Sequence, residues 1–524
     1  MNNRKYFLIA CLIFVSAFFV ACKNEKYVKI PENVMIDKVK GAWAAKMFGV
    51  QYGASMEFMS NGKIFEDEIQ WSPEMVEGAL NQDDIYVQLS FMMTLEKYGL
   101  NVANDSIVKY FANAGFPLCH ANLQTRKNYF DGVPVDKLAH PEYSIHCEDI
   151  DFQIDADFIG IVNPLMLQSS NKLSKKVGGM IGYADGLYGG MFIAAMEALA
   201  FHYDDIMEIV TTALKVIPKE STYAECVRDV IDGYNKYPND WRKTWQLLED
   251  KWGEHDVCTP FDPFNIDAKI NGAYVVMGLL YGGGDVRKTM EIAIRCGQDT
   301  DCNSSNAAVV LGIMKGYEAL PDEFKSHIMN IADKKFLHTD YTFNKTIDQC
   351  MVFMKENVIN NGGKFEDGVF YIKEQEPLPA EYQVGFGNQR MAYFQQVKDI
   401  EKWRFDSNWT DFAYNYGGDH DPYKVATSPG AVMEVDFEGT GVALLGSWNV
   451  DCGKAKVYID DEFIKEIDTY YREEAGLYAG NRAYLFHKTG LQNARHTLKV
   501  VVSEEKNAAS AGHKVYIERI VVYE

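Results

Sequence analysis

Between residues 34 and 358, apolar residues recur at the three-to-four-residue spacing of helices that bury one face. Leu89, Met92, Met93 and Leu95 form such a stripe behind Asp83-Asp84. Val286–Arg295 reads as a second helix, and residues 307–317 as a third that stops before Pro321. Few runs alternate apolar and polar positions here, so the spacing predicts an all-α domain over 34–358. Residues 360–363 and 374–379 are rich in turn formers and polar groups, which predicts a linker over 359–391 with a few short strands. From residue 392 onward short alternating runs dominate, as at 432–437, 456–459, 496–502 and 515–522, and Asp460-Asp461 reads as a hairpin turn. Many short strands separated by turns predict a β-sandwich over 392–524. No repeats or low-complexity blocks interrupt the pattern.

Composition and charge narrow the picture. The chain has 524 residues and 47 % apolar content, which suits more than one globular unit. A formal net charge of -22 without a basic stripe argues against a nucleic-acid polymer as partner. Arg4 and Lys5 precede an apolar run over 6–20 that is short for a membrane span, and Phe19-Val20-Ala21-Cys22 closes it. This resembles a bacterial lipoprotein leader over 1–22, with Cys22 as the lipidated residue and the body held at a membrane outside the cytoplasm. A plain signal peptide or a membrane anchor is the alternative. The ten cysteines include no CxxC pair, which argues against a zinc knuckle or a thioredoxin-like site, while export would permit disulfides.

Two acidic clusters carry the candidate chemistry. Asn81-Gln82-Asp83-Asp84 and Gly297-Gln298-Asp299-Thr300-Asp301-Cys302-Asn303 each precede a helical pattern. One aspartate suffices to cap a helix. Two pairs exceed that need, and four converging carboxylates repel unless a cation neutralises them. Oxygen donors of this kind suit one or two Mg²⁺ or Mn²⁺ ions better than zinc. His120, His140 and His146 read as polar loop residues, Gly282-Gly283-Gly284 as a helix stop, and no nucleophile elbow or HExxH helix is present.

With these motifs, most of the helical region resembles the ADP-ribosylglycohydrolase family. Gly41 to Gly49, followed by Gly53, Ala54 and Glu57, is similar to that family's glycine-rich opening helix with its functional acid. Gln82-Asp83-Asp84 is similar to its Thr-Asp-Asp metal motif, and Gln298-Asp299-Thr300-Asp301-Cys302 to its Gly-Asp-Thr-Asp-Thr motif. Gln82 and Cys302 stand where the family carries threonine. The resemblance implies a metal set of Gln82, Asp83, Asp84, Asp299, Asp301 and Cys302, with Glu57 and Asp84 catalytic. Gly182 to Gly190 resembles the family's substrate loop, which implies that Asp185, Gly186, Tyr188, Gly189 and Gly190 touch substrate. Asp155 and Asp157, in Gln153-Ile154-Asp155-Ala156-Asp157-Phe158, line the pocket or cap the helix that follows.

The expected activity is metal-assisted hydrolysis of a glycosidic bond through an oxocarbenium-like transition state. Export favours a glycan over an ADP-ribosylated protein as substrate, and a non-catalytic glycan binder is the third reading. Trp403, Trp409, Trp448, Tyr470 and Tyr471 either stack on sugars or form the sandwich core. The leader yields a direct test: protein taken from its native membrane should begin at Cys22 and carry lipid, as read by intact mass. A lipid-free product cut elsewhere refutes the anchor.

Overall fold

The protein was analysed as a computed structural model that describes residues 27–258, 265–387, 389–416, 419–473 and 482–524. The leader and Cys22 lie outside the described residues. Among the described residues no helix is long and apolar enough to cross a membrane.

The helical domain is built on α1 (Glu32–Gly53), α2 (Asp83–Tyr98), α3 (Asp185–Ala200), α4 (Ala268–Gly282), α5 (Val286–Arg295), α6 (Thr300–Lys315) and α7 (Phe343–Asn360), with shorter helices between them. Helix α5 has the bounds its apolar spacing predicts. Helix α6 begins at Thr300, earlier than the spacing suggests, because Asp299 caps it by accepting from Cys302 N. Its first turns carry Asp301, Cys302, Asn303, Ser304, Ser305 and Asn306. All are buried, and their polarity hides the helix from a reading of apolar positions. Helices α3 and α4 are buried at every position and so have no amphipathic stripe.

Helices α1 and α6 make the closest contact of this core. A Cβ added at Gly312 would sit 2.5 Å from Gly41 O, and one at Gly49 would sit 2.6 Å from Ser305 Cα. A Cβ at Gly53 would reach 2.5 Å from Asp301 Cα. Hydroxyls tie the same seam: Ser304 Oγ donates to Gly49 O at 2.8 Å and Thr300 Oγ1 to Gly53 O at 2.9 Å.

The boundaries differ from the sequence expectation on both sides. Strand β1 (Tyr27–Pro31) pairs antiparallel with β3 (Val369–Lys373), which also pairs with β2 (Lys364–Glu366). Ile30, Phe370 and Ile372 join the helical core. The helical domain therefore closes on a small sheet from residues beyond 34–358. The expected linker is reduced to the stretch after Lys373, and that stretch is docked: Gln375 N donates to Leu165 O at 3.0 Å, Ala380 N to Val216 O at 2.9 Å, and Phe386 N to Glu148 Oε2 at 3.0 Å.

The remaining strands form an antiparallel β-sandwich. They are β4 (Met391–Gln396), β5 (Trp403–Phe405), β6 (Trp409–Tyr416), β7 (Asp419–Ala426), β8 (Val432–Ser447), β9 (Lys454–Ile459), β10 (Glu462–Asp468), β11 (Ala483–Val502) and β12 (Val515–Tyr523). The long strands β8 and β11 shift register between Thr489 and Ala494, which bends the pair and lets one strand serve two parts of the sheet. Asp460 and Asp461 turn the β9–β10 hairpin with positive φ, as expected. Strand β12 is buried along its whole length. Ile520 and Val522 face the sandwich core, while Val521 and Tyr523 join Ala443, Leu445 and Tyr484 against Ile145, Cys147, Ile150 and Val257 of the helical domain. An apolar seam of this kind fixes the two domains to each other. Trp403, Trp409, Trp448 and Tyr471 are buried, which assigns them to the core rather than to a sugar-stacking surface.

The α1–α6 contact yields a stability prediction. Gly49→Ala gains about 1 kcal/mol in helix propensity. It also forces one backbone off another, a cost of roughly 1–3 kcal/mol or more. The expected outcome is a net loss of stability at unchanged denaturant m-value; a neutral or stabilised variant would show that the seam yields freely.

Candidate active site

The end of α1 and the start of α6 bring the sequence-separated acids together. After Gly53 the chain makes one 3₁₀ turn over Ala54–Met56 and reaches Glu57. Phe58, at φ 55°, donates from its N to Gln298 O at 3.0 Å, and Gln298 N donates to Ser60 O at 3.1 Å. Gln298 is itself at φ 61° and accepts Asn265 N on its Oε1 at 2.7 Å. This pairing lays Glu57 beside Asp299 and Asp301. One oxygen from each of the three lies within 4.8 Å of the others. Asp301 also belongs to a second group, with Asp84 and Cys302, at the same separation.

Helix α2 supplies Asp83 and Asp84 in its first turn, with Gln82 as the preceding cap residue. Asp83 Oδ1 accepts Asp84 N at 3.2 Å. Asp84 is nearly enclosed: its Oδ1 accepts Lys46 Nζ at 2.9 Å and Ser305 Oγ at 3.4 Å, and its Oδ2 accepts Cys302 Sγ at 3.2 Å. Asp84, expected both as a catalytic group and as a metal ligand, has both carboxylate oxygens engaged by neighbouring side chains.

The electrostatics follow from crowding. Burial, then the charges of Asp301, Asp83 and Asp84, push Glu57 up to about 8. Burial and Asp84 raise Asp83 to about 6, and burial and Asp84 raise Asp301 to about 7. Asp299 is held well above the carboxylate range by burial and by Asp301. Glu57 stands at the solvent edge of the group while Asp84, Asp299 and Asp301 are buried.

Lys46, on α1, is the cation that the sequence reading missed. It is 1 % exposed and bonds Asp84, Ile154 O and Ser305 Oγ, with Asp157 Oδ2 at 3.0 Å. Burial would lower its pKa, but the charges of Asp157 and Asp84 outweigh that and keep it charged. The only sequence signal was a lysine inside the small-residue run of α1, where a solvated face was not available.

The remaining expected contacts divide. Asp157 is spent inside the core: it meets Lys46 and accepts Gln88 Nε2 at 2.8 Å and Asn306 Nδ2 at 3.0 Å. Asp155 accepts Asn122 Nδ2 at 3.1 Å on one oxygen, and its other oxygen is buried without a hydrogen bond. The stretch expected to be a substrate loop is mostly the first turns of α3. Gly186 packs on Cys147 O, Gly189 on Gln153 and Tyr223, and Gly190 on Phe152. Asp185 accepts from Thr222. Tyr188 Oη donates to Glu381 O at 3.0 Å and accepts Gln383 N at 2.6 Å. These glycines admit neighbouring chain, and Tyr188 holds the segment after β3.

Two further expectations change. His120 and His146 are not merely loop polarity, since both rings approach Asp149. Cysteines 119, 147, 226, 258, 296, 302, 350 and 452 are free, so the described residues form no disulfide.

ADP-ribosylglycohydrolase is the family that matches, over residues 31–345, more than half of the chain. A curated relative, the "A type blood alpha-D-galactosamine galactosaminidase" of Flavonifractor plautii, is 35 % identical over 72 residues, which are 14 % of this chain. The match spans only 6 % of that relative's length. Among solved structures, an "ADP-ribosylglycohydrolase-related protein complex" aligns at 13 % identity and TM-score 0.43, covering 62 % of this chain and 99 % of the other. The CBM36-1 domain of a xylanase from the hindgut metagenome of Trinervitermes trinervoides aligns at 12 % identity and TM-score 0.17, covering 26 % and 97 %. The chain belongs to the ADP-ribosylglycohydrolase family.

Proposed function

We propose that the protein is a divalent-cation-dependent glycosidase acting on a glycan outside the cytoplasm, lipid-anchored through Cys22. The observation that carries the reading is the convergence of Glu57, Asp84, Asp299 and Asp301 at the α1–α6 junction. Lys46 is shared between Asp84 and Asp157, and burial raises three of the remaining acids. Such a group is short of positive charge, which Mg²⁺ or Mn²⁺ would supply to oxygen donors. The residues fit the ion: Asp84, Asp299 and Asp301 would hold it, with Asp83 and Glu57 beside them. Cys302, a soft donor whose thiol is bonded to Asp84, stands outside the set. When bound, such a cation orients sugar hydroxyls and lowers the pKa of a water.

The chain's own groups then divide the work. Lys46, Ser305 and Cys302 fix Asp84, so its oxygens cannot swing to carry protons. Glu57 sits at the open edge, and desolvation and then the neighbouring carboxylates raise its proton affinity. A carboxyl with that poise can protonate the oxygen of a departing sugar, and the remaining carboxylates favour positive charge at the anomeric carbon. The galactosaminidase likeness, confined to a short stretch, supports a glycan before ADP-ribose. The burial of Gly186, Gly189 and Gly190 also leaves no open glycine loop there for a diphosphate.

Turnover is the first test. Hydrolysis of glycosides and glycans should require Mg²⁺ or Mn²⁺ and stop with chelator. Glu57→Gln should lower kcat by about 100- to 10,000-fold, and Asp301→Asn should weaken metal binding and turnover together. Release of ADP-ribose from a protein without glycan cleavage would overturn the substrate, and full activity in chelator would overturn the metal.

The second test is linkage. An acid raised in the folded state binds its proton more tightly there than in the unfolded chain, so folding weakens as pH rises between the two values. For Glu57 that window runs from 4.5 to about 8, and for Asp301 from 3.8 to about 7. Metal-free protein should lose thermal stability as pH rises from about 4 to 8. Mg²⁺ should restore most of it near pH 8, because the ion binds the ionised form. A flat metal-free profile would mean the carboxylates do not crowd one another.

A further inference from the structure

Outside the carboxylate group, Asp149 stands between two histidines. His146 Nδ1 lies 2.7 Å and His120 Nδ1 3.5 Å from the same oxygen, Asp149 Oδ2. One donor atom from each of the three residues lies within 4.8 Å of the other two. We propose that His120, His146 and Asp149 bind a zinc-class divalent cation, at a site whose ligands are distinct from those of the carboxylate centre and which does not rest on the reading of that centre.

The donor chemistry selects the ion. Two imidazoles and one carboxylate suit zinc and its borderline neighbours, whereas Mg²⁺ prefers oxygen alone. Around an ion bonded at about 2.0–2.1 Å, adjacent ligand atoms stand roughly 3 Å apart. The separations of 2.7 and 3.5 Å bracket that value, so only small shifts are required. Three protein ligands leave a coordination position for water or a substrate oxygen. The site is reachable, because His120 is 24 % and His146 13 % exposed while Asp149 is buried.

The surroundings hold the three groups in place. Ile150 N donates to Ile266 O at 3.0 Å and Ala268 N to Glu148 O at 3.0 Å, which clamps Asp149 from both flanks. His146 meets the ring of Tyr484 edge-on, with centroids 5.3 Å apart, and Tyr484 Oη bonds Cys258 O. The β-domain thus contributes to orienting a ligand of the helical domain, as outer contacts commonly do in metal sites. Asp256 is occupied by Cys258 N at 2.6 Å and Ile266 N at 2.8 Å. Cys258 directs its thiol to Ile145 O at 2.9 Å, and its sulfur also lies within 4.8 Å of Asp149 and Asp256, so it stands beside the three ligands.

The test uses the full mature chain, stripped with chelator, incubated with Zn²⁺ and desalted, with metal counted by mass spectrometry. One zinc per chain is expected. His146→Ala should weaken zinc affinity by at least about 100-fold, and Asp301→Asn should leave it in place. Zinc kept by His146→Ala and lost in Asp301→Asn would put the ion in the carboxylate centre and overturn the proposal. Failure of the wild type to retain zinc would overturn it too, leaving a purely hydrogen-bonded His–Asp–His group. If His146→Ala does not fold, Co²⁺ loaded into the wild type decides: two hyperfine-shifted imidazole N–H resonances are expected, and none would refute the site.

Discussion

The close approach of α1 and α6 is the constraint on which the active site depends. Gly41, Gly49 and Gly53 on one helix and Gly312 on the other let backbone meet backbone. The acids sit at the end of that seam, with Asp301 directly against Gly53. Burying these carboxylates and placing them so close costs free energy: desolvation first, then mutual repulsion, push Glu57, Asp299 and Asp301 up. Apolar burial elsewhere must offset that cost. The domain supplies it with helices such as α3 and α4 that expose no face.

Lys46 shows how the fold limits the repulsion without removing it. Its ammonium neutralises charge on Asp84 and Asp157, on the inner side of the cluster. The outer side, from Glu57 to Asp299 and Asp301, has no equally close lysine or arginine among the described ion pairs. A buried ion pair contributes little net stability but fixes geometry well when its hydrogen bonds are complete. Lys46 has four partners, so it sets where Asp84 points. On that side the nearby positive group is His120, which lowers the pKa of Glu57 and Asp83.

What could be read in the sequence followed from local pattern. The paired acids announced themselves because two aspartates at one helix start exceed the needs of capping. The β-domain announced itself by alternation, and α5 by its apolar stripe. Lys46 did not, because a lysine in a helix is ordinarily solvated, and only the tertiary seam shows that its face is closed. The first turns of α6 were hidden by their polarity for the same reason. His120 and His146 are far apart along the chain and meet through Asp149, which no spacing rule connects. The glycines of α3 resembled a ligand loop because close approach to a ligand and close approach to a neighbouring helix demand the same missing side chain.

The β-domain is best understood through that seam as well. Trp403, Trp409, Trp448 and Tyr471 are buried, while Phe394, Phe412 and Phe463 remain exposed. Along β12 and β8, residues alternate between that core and the helical domain: Val522 and Leu444 face inward, Val521, Tyr523 and Leu445 outward. Tyr523 Oη donates to Val257 O at 2.8 Å, and Tyr484 Oη bonds Cys258 O, so both outward tyrosines grip the 256–258 segment. Cys302, in the first turn of α6, belongs to the same apolar contact group as Tyr484 and Tyr523. A sheet buried on both faces acts as a wall, and here the wall backs the segments that carry Asp149, Asp256 and Cys302. The domain therefore does structural work for the helical site whatever its outer surface touches: loosening the sandwich would release the backing of those segments, whereas a tethered binding module could move freely without disturbing them.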